Sequence, residues 1–212
     1  MTEDALDREF WEGRWEAARR TMGDRVAPPN RTLTGVAAAL PVGNALDAGC
    51  GEGADAIWLA EHGWTVTAVD FVDSALRNGQ TRAELRGTEV ARRIGWRQAD
   101  LSEWAPPVDS FDLVSTHYLH GIAQRDRMFG RLAAAVRPGG TLLVVGHHPA
   151  NADIAGGATL GAVFFTTDDV IAVLDADWEL VVVDDAVSRR TADKAGQLIT
   201  VRAAMVQARR IV

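Results

Sequence analysis

Residues 44–70 read NALDAGCGEGADAIWLAEHGWTVTAVD, and this stretch decides the fold. It opens with a short apolar run that ends at Asp47 and continues into a turn with glycine at positions 49, 51 and 53. A segment suited to a helix follows and ends at Gly63, and a second apolar run ends at Asp70. This order predicts a right-handed crossover within a parallel sheet, with a ligand site beyond the carboxyl ends of the strands.

The acids around the glycine turn distinguish two classes of cofactor. The pattern G-x-G-x-x-A beginning at residue 49, with Asp70 about 20 residues further on, matches the loose dinucleotide fingerprint, so an NAD-linked oxidoreductase is one alternative. A pyrophosphate needs bare backbone N–H groups and no nearby anion, whereas here Asp47 ends the strand and Glu52 lies inside the turn. Both acids suit the ammonium and sulfonium groups of S-adenosylmethionine. The chain's single lysine, Lys194, also offers no Tyr-x-x-x-Lys pair for hydride chemistry.

The motifs LDAGCGEG (46–53) and VTAVD (66–70) together resemble the first two motifs of the class I S-adenosylmethionine-dependent methyltransferases. The resemblance implies an α/β fold: a Rossmann-like, doubly wound, seven-stranded sheet, mostly parallel with an antiparallel last strand, and helices on both faces. It also implies S-adenosyl-L-methionine as cofactor and S-adenosyl-L-homocysteine as product.

The same resemblance implies roles at the cofactor site. Asp47 would help to hold the ammonium group, Asp70 would take the ribose hydroxyls, and Phe71 would lie against the adenine. Asp100 would accept a hydrogen bond from the adenine amino group, although an aspartate there also suits the cap of a turn. The cofactor-binding candidates in chain order are Asp47, Gly49, Cys50, Gly51, Gly53, Asp70, Phe71, Asp100, Leu101 and Thr116.

Histidines follow the predicted fourth and fifth strands, at residues 111–115 and 141–146. Methyl transfer mainly requires placing a nucleophile, and a histidine can deprotonate it near neutral pH. His117 is the first choice as general base, and the catalytic candidates are His117, His147 and Tyr118. The alternative is that these histidines cap strands and bond to the backbone. No metal is predicted, because the histidines have no obvious carboxylate companion and do not show the spacing of a characteristic metal-ligand motif.

The N-terminal segment, residues 1–42, is predicted to form a helical cap with helices over 3–20 and 33–40. Such a cap could cover the cofactor cleft, or it could simply pack on the sheet. The substrate-side candidates are Trp11, Trp15, Asn30, His120 and His148. In the last third we predict a lid loop over 150–162, a helix from residue 166 or 167, strands over 178–184 and 197–205, and a charged turn over 188–194.

Composition and length set the wider expectations. The 212 residues predict a single methyltransferase domain, and the net charge of −7 argues against nucleic acid as a partner. The chain shows no signal peptide and no apolar run of membrane-spanning length, and its one cysteine allows no internal disulfide. We therefore expect a cytoplasmic monomer or homodimer that has no membrane partner and acts on a small-molecule methyl acceptor.

The short length and the start EFWEGRW (9–15) resemble the compact bacterial thiopurine and tellurite methyltransferases in particular. This implies methyl transfer to a sulfur, nitrogen or oxygen nucleophile of a small molecule. A non-catalytic S-adenosylmethionine-binding protein is the further alternative, because the cofactor motif reports binding and not turnover.

Overall fold

The structure is a computed structural model that describes residues 8–22, 27–119, 124–152, 164–192 and 198–212. Its helices are α1 (Arg8–Met22), α2 (Arg31–Ala38), α3 (Ala54–Glu61), α4 (Asp73–Arg86), α5 (Thr88–Arg92), α6 (Arg125–Ala135) and α7 (Thr167–Ile171). Its strands are β1 (Asn44–Ala48), β2 (Thr65–Asp70), β3 (Ile94–Gln98), β4 (Phe111–His117), β5 (Val136–His147), β6 (Trp178–Ala192) and β7 (Leu198–Arg210). A short 3₁₀ turn covers Pro149–Asn151. None of the described helices is long and apolar enough to cross a bilayer.

The seven strands form one sheet in the order β3-β2-β1-β4-β5-β7-β6. The first five strands pair in parallel, and β7 is antiparallel to both β5 and β6. The chain adds β2 and β3 on one side of β1, and β4 and β5 on the other, so the strand order reverses between β1 and β4. The carboxyl ends of these two strands therefore flank the point where a ligand binds in such sheets. The predicted sheet, including its antiparallel last strand, is confirmed.

Helices cover both faces of this sheet because its central strands are apolar on both sides. Leu142 of β5 packs with α6 in one buried cluster, and the next residue, Leu143, packs with α2 and α3 in another. Successive side chains of a strand point to opposite faces, so one strand supplies both clusters.

The apolar residues between Asp73 and Arg86 predict a helix over about these residues. Helix α4 has these bounds, although it contains Gly79. A Cβ atom on Gly79 would lie 2.5 Å from Cη2 of Trp96 on β3. The glycine therefore lets the indole ring pack against the helix, and this contact offsets the low helix propensity of glycine.

Several predicted boundaries differ from the structure. The short helix α5 was not predicted; it begins after Gly87, whose φ of +123° ends α4. The sequence predicts a helix over residues 126–137 that ends at the run Arg-Pro-Gly-Gly (137–140). Helix α6 instead ends at Ala135, and residues 137–140 lie within β5, where the register with β4 shifts. Proline and glycine are tolerated there because the irregularity interrupts the regular ladder.

The predicted charged turn over 188–194 is wrong for residues 188–192, which belong to β6. Ser188 pairs with Arg202 and Ala192 pairs with Leu198. Polar composition favoured a turn, but this strand forms the edge of the sheet, where one side of the backbone and much of the side-chain surface face solvent. Residues 193–197 and 153–163 lie outside the described residues, and the second range includes most of the lid loop predicted over 150–162.

Candidate functional site

The glycine turn between β1 and α3 has a backbone that only glycine adopts easily. Gly49, Gly51 and Gly53 have φ values of +79°, +53° and +75°. A Cβ atom on Gly51 would lie 2.7 Å from Trp15, and one on Gly49 or Gly53 would collide with Leu119 or Trp96, respectively. The three glycines therefore form a close-packed cradle on which the side chains of Leu119, Trp15 and Trp96 lie.

Three carboxylates gather at this turn: Asp47 at the end of β1, Asp70 at the end of β2 and Asp55 in the first turn of α3. Asp47 is 2% exposed, and burial raises the pKa of its carboxyl group, with further contributions from Asp55 and Asp70. Burial also raises the pKa values of Asp55 and Asp70. Each of these carboxylates is costly to keep ionised without a positive partner.

The part of the chain that the structure describes offers little positive charge to this cluster. Neither Asp47 nor Asp70 forms an ion pair there, and Oδ2 of Asp47 makes no hydrogen bond. Asp70 accepts hydrogen bonds from the backbone N–H groups of Gly51 at 2.8 Å and Val72 at 2.9 Å. An unpartnered buried carboxylate oxygen beside a glycine cradle fits a ligand with a cationic group, such as the methionine part of S-adenosylmethionine, and repels a pyrophosphate.

Glu52 is not part of this cluster, which corrects our view of the turn. Its carboxylate forms an ion pair with Arg82 of α4 and accepts a hydrogen bond from Asn78 Nδ2 at 3.2 Å. The second acid of the cluster at this turn is Asp55, which was not predicted from the sequence. An acid in the first turn of a helix usually signals only a favourable helix dipole, so the sequence gives no sign of its site role.

His117, the first choice as base, lies at the end of β4 with a side chain that is 7% exposed. Its Nδ1 atom lies 3.3 Å from Oδ2 of Asp55, and neither ring nitrogen forms a hydrogen bond with a described residue. Burial lowers the pKa of His117 to about 4, so the imidazole is neutral at neutral pH. A neutral imidazole can accept a proton.

The other two catalytic candidates, Tyr118 and His147, are in contact with each other. The Tyr118 and His147 rings lie 4.8 Å apart at 46°, and Phe164 lies edge-on to His147 at 6.4 Å. Tyr118 has a φ of +52°, an uncommon backbone for this residue type, and its N–H donates to the carbonyl of Val145 at 2.8 Å. These rings form an aromatic wall where β4 and β5 end.

Some predicted site residues have structural uses. Oδ1 of Asn30 accepts from Thr32 N and caps α2. Nδ1 of His148 accepts from Ala150 N, and its Nε2 lies 3.9 Å from Asp185, so this histidine is bound to the 3₁₀ turn.

Asp100 and Leu101 lie just beyond β3. Oδ1 of Asp100 accepts hydrogen bonds from the N–H and hydroxyl of Ser102 at 2.8 and 2.7 Å, which is the capping arrangement that the sequence left open. Leu101 is buried. Phe71 is half-buried directly after β2.

Thr116 and Cys50 flank the cluster. Thr116 is 2% exposed, and its hydroxyl makes no hydrogen bond with the described part of the chain. It lines a small cavity together with Arg125 and apolar side chains. Burial and the carboxylates of Asp47 and Asp70 raise the pKa of the Cys50 thiol, so this cysteine stays protonated and unreactive.

Of the aromatic candidates in α1, Trp15 lies over Gly51 and Trp11 packs edge-on to Phe10 at 5.4 Å. His120 lies outside the described residues. Among the residues that are described, no group of three or more histidine, cysteine, aspartate or glutamate side chains is placed to hold a metal ion.

Comparison with known proteins agrees with this geometry. Residues 45–140 match the family model described as "Methyltransferase domain". The chain is 40% identical over 111 residues to an uncharacterised methyltransferase of Mycobacterium bovis, a match that covers 51% of this chain and 53% of that protein. It is 32% identical over 134 residues to the trans-aconitate 2-methyltransferase of Rhizobium meliloti, with 61% and 49% covered. The match thus spans about half the length of these relatives.

The fold is shared with solved structures. The magnesium protoporphyrin IX methyltransferase of Synechocystis, solved with bound S-adenosylhomocysteine, superposes with a TM-score of 0.68 at 19% identity and covers 99% of this chain and 100% of that one. TehB from Haemophilus influenzae gives a TM-score of 0.68 at 16% identity, with 91% and 65% covered. At such identities the likeness shows the fold alone, so the narrower resemblance to the thiopurine and tellurite group stays a prediction. The domain match over residues 45–140, the strand order and the glycine turn together support a class I S-adenosylmethionine-dependent methyltransferase.

Proposed function

We propose that this protein transfers a methyl group from S-adenosylmethionine to a sulfur, nitrogen or oxygen nucleophile of a small molecule. The observation that carries the proposal is the buried Oδ2 atom of Asp47, which has no partner among the described residues and lies in a cluster of three carboxylates beside the glycine cradle. A cationic ligand supplies the charge that this cluster lacks.

Each part of the site has a role in this proposal. When bound, S-adenosylmethionine supplies an electrophilic methyl carbon on a sulfonium centre. Asp47 holds the ammonium group, and the glycine turn gives the backbone room to approach the methionine part. Asp70 orders the turn through Gly51 and directs its carboxylate towards the ribose hydroxyls.

The acceptor lies beyond the ends of β4 and β5 in this proposal. The aromatic wall of Tyr118, His147 and Phe164 packs against a small apolar or planar acceptor, and neutral His117 takes its proton. Trp15 closes the site from the α1 side and excludes water. The name of the Rhizobium relative, a trans-aconitate 2-methyltransferase, supports a small-molecule acceptor.

Calorimetric titration of the purified chain with S-adenosylhomocysteine and with NADH tests the cofactor. We expect micromolar binding of the first and none of the second; binding of NADH alone would make the protein an oxidoreductase. Incubation with S-adenosylmethionine and a panel of thiols, phenols and nitrogen heterocycles, read by mass spectrometry, then tests turnover. Binding without any methylated product from the panel would favour the non-catalytic alternative.

A further inference from the structure

Asp55 connects three segments of the chain. Its Oδ1 atom accepts a hydrogen bond from the backbone N–H of Asn30 at 2.6 Å, and its Oδ2 atom lies 3.3 Å from Nδ1 of His117. The side chains of Asp55 and His117 are 13% and 7% exposed. The carboxylate is therefore held by the segment before α2 while it faces the imidazole at the end of β4.

A carboxylate beside one ring nitrogen selects the tautomer of a neutral histidine. Because an ionised carboxylate only accepts hydrogen bonds, it favours a proton on Nδ1, and the lone pair is then on Nε2. Nε2 of His117 is buried and makes no hydrogen bond with any described residue, so its lone pair has no partner in the described part of the chain. Oδ2 of Asp55 lies 3.3 Å from Nδ1, close to the distance at which a third group orients a catalytic base.

We infer that Asp55 is a positioning residue that holds His117 as the Nδ1–H tautomer, so that Nε2 receives the proton of the methyl acceptor. This inference rests on the proposed function. The acceptor's X–H bond breaks and its proton goes to Nε2, while the electron pair of X forms the new bond to the methyl carbon. The electron pair of the broken C–S bond remains on sulfur, which leaves S-adenosylhomocysteine.

The charges around the pair suit this role. Asp47 and Asp70 add negative potential near Asp55, and the carboxylate of Asp55 stabilises the imidazolium that forms on His117 without itself taking the proton. The described residues place no arginine or lysine within ion-pair distance of Asp55. The imidazolium then releases its proton to solvent when the products leave.

Nitrogen-15 NMR of the imidazole rings in the full chain, without cofactor, tests the tautomer directly. The chain has five histidines, so His117→Gln assigns the signal. We expect the wild type to show a protonated Nδ1 and an unprotonated Nε2. Asp55→Asn should move the proton towards Nε2, as a carboxamide does not favour either tautomer, and Asp55→Glu should restore part of the wild-type signal. Asn keeps an oxygen that can accept from Asn30 N–H, so this variant should fold.

Asp168→Asn is the matched control, because Asp168 is an exposed acid in the first turn of α7 and loses the same helix-dipole interaction. Its His117 signal should equal that of the wild type. A wild-type Nε2–H tautomer, or an Asp55→Asn spectrum identical to that of the wild type, would overturn the inference.

Calorimetry with S-adenosylhomocysteine separates positioning from cofactor binding. We expect Asp55→Asn to keep the affinity within about 3-fold of the wild type and to lower kcat by about 100-fold or more with an acceptor that must be deprotonated. A loss of affinity of about 30-fold or more would instead assign Asp55 to the ammonium group and overturn the positioning role. If the wild type binds no S-adenosylhomocysteine, the proposed function fails, whereas the NMR experiment still decides whether Asp55 sets the tautomer of His117.

Discussion

Glu52 is paired with Arg82 of α4, although it lies inside the glycine turn that the cofactor is proposed to approach. The side chains of this ion pair are only 10% and 18% exposed, so the charge of Glu52 is compensated within the protein. Asp47, five residues earlier in the chain, has no such partner among the described residues. The two acids of one turn therefore differ: Glu52 fixes the turn to α4, and Oδ2 of Asp47 has no partner among the described residues.

This difference predicts unequal effects of two neutral variants on cofactor affinity. Asp47→Asn should weaken binding of S-adenosylmethionine by roughly 30-fold or more, since removing one partner of a buried charge pair costs about 2–5 kcal/mol. Glu52→Gln should keep the affinity within about 3-fold of the wild type. Calorimetric titration of both variants measures this, and equal losses in the two would refute the assignment of Asp47 as the ammonium contact.

The same substitution of Asp47 should stabilise the protein without its cofactor. An ionised carboxylate that is buried and unpaired destabilises the folded state, and Asn removes the charge while keeping the shape. We expect the Tm of Asp47→Asn to rise by about 2–4 °C for each kcal/mol that is relieved. Differential scanning calorimetry without ligand checks this, with Glu52→Gln as the variant whose Tm should fall because Arg82 loses its partner.

Stability should respond to pH in two opposite ways at this site. Burial lowers the pKa of His117 from 6.5 to about 4, so as pH falls the imidazole becomes protonated in the unfolded chain before it does in the folded protein. The contribution of His117 to the free energy of unfolding is therefore lost as pH falls from about 6.5 to about 4. The pKa values of Asp47, Asp55 and Asp70 are raised from 3.8, so the folded state binds their protons more tightly and their ionisation destabilises it as pH rises above about 3.8.

Single variants separate these two effects. His117→Gln should reduce the loss of stability between about pH 6.5 and pH 4, by at most about 3 kcal/mol. Urea unfolding at several pH values measures the free energy of unfolding of each protein. An unchanged pH dependence in His117→Gln would contradict the burial of a neutral imidazole.

The effect on stability of replacing a glycine by alanine should depend on the φ angle of the glycine and on the space available for a Cβ atom. Gly53→Ala places a side chain at a φ of +75° and against Trp96, so we expect it to destabilise the protein by about 1–3 kcal/mol and to impair cofactor binding. Gly35 lies in the exposed middle of α2 with open space around it, so Gly35→Ala should stabilise the protein by about 0.5–1 kcal/mol. Thermal unfolding compares the two, and a stabilising Gly53→Ala would show that the turn is not held as described.

Trp15 should report on the cofactor because its ring lies against Gly51. If S-adenosylhomocysteine binds over the glycine turn, the environment of this indole changes, and Trp15→Phe should remove most of the change in tryptophan fluorescence on titration. Trp58→Phe is the control, since Trp58 stacks at 3.8 Å on His62, which follows the carboxyl end of α3. The same fluorescence change in Trp15→Phe and the wild type would place the cofactor elsewhere.

Much of the fold could be predicted from local pattern. The apolar runs that end at Asp47, Asp70 and residue 115 predicted three central strands, and Asp73–Arg86 was predicted with its observed bounds. These elements are determined by short-range periodicity, by caps and by glycine. The last two strands were less predictable, because an exposed hairpin at the edge of a sheet needs no apolar alternation to form.

The sequence by itself determined the class of site: a glycine turn bounded by acids at the carboxyl ends of parallel strands, with histidines after β4 and β5. Only the tertiary structure decided which side chains serve it. Glu52 turns to Arg82, Asn30 and Asp100 cap their own turns, and Asp55 reaches His117 from 62 positions away in the chain. Residue types and spacings report what a local segment can do, whereas the partner of a buried charge is set by whichever distant segment the packing of the sheet and helices brings beside it.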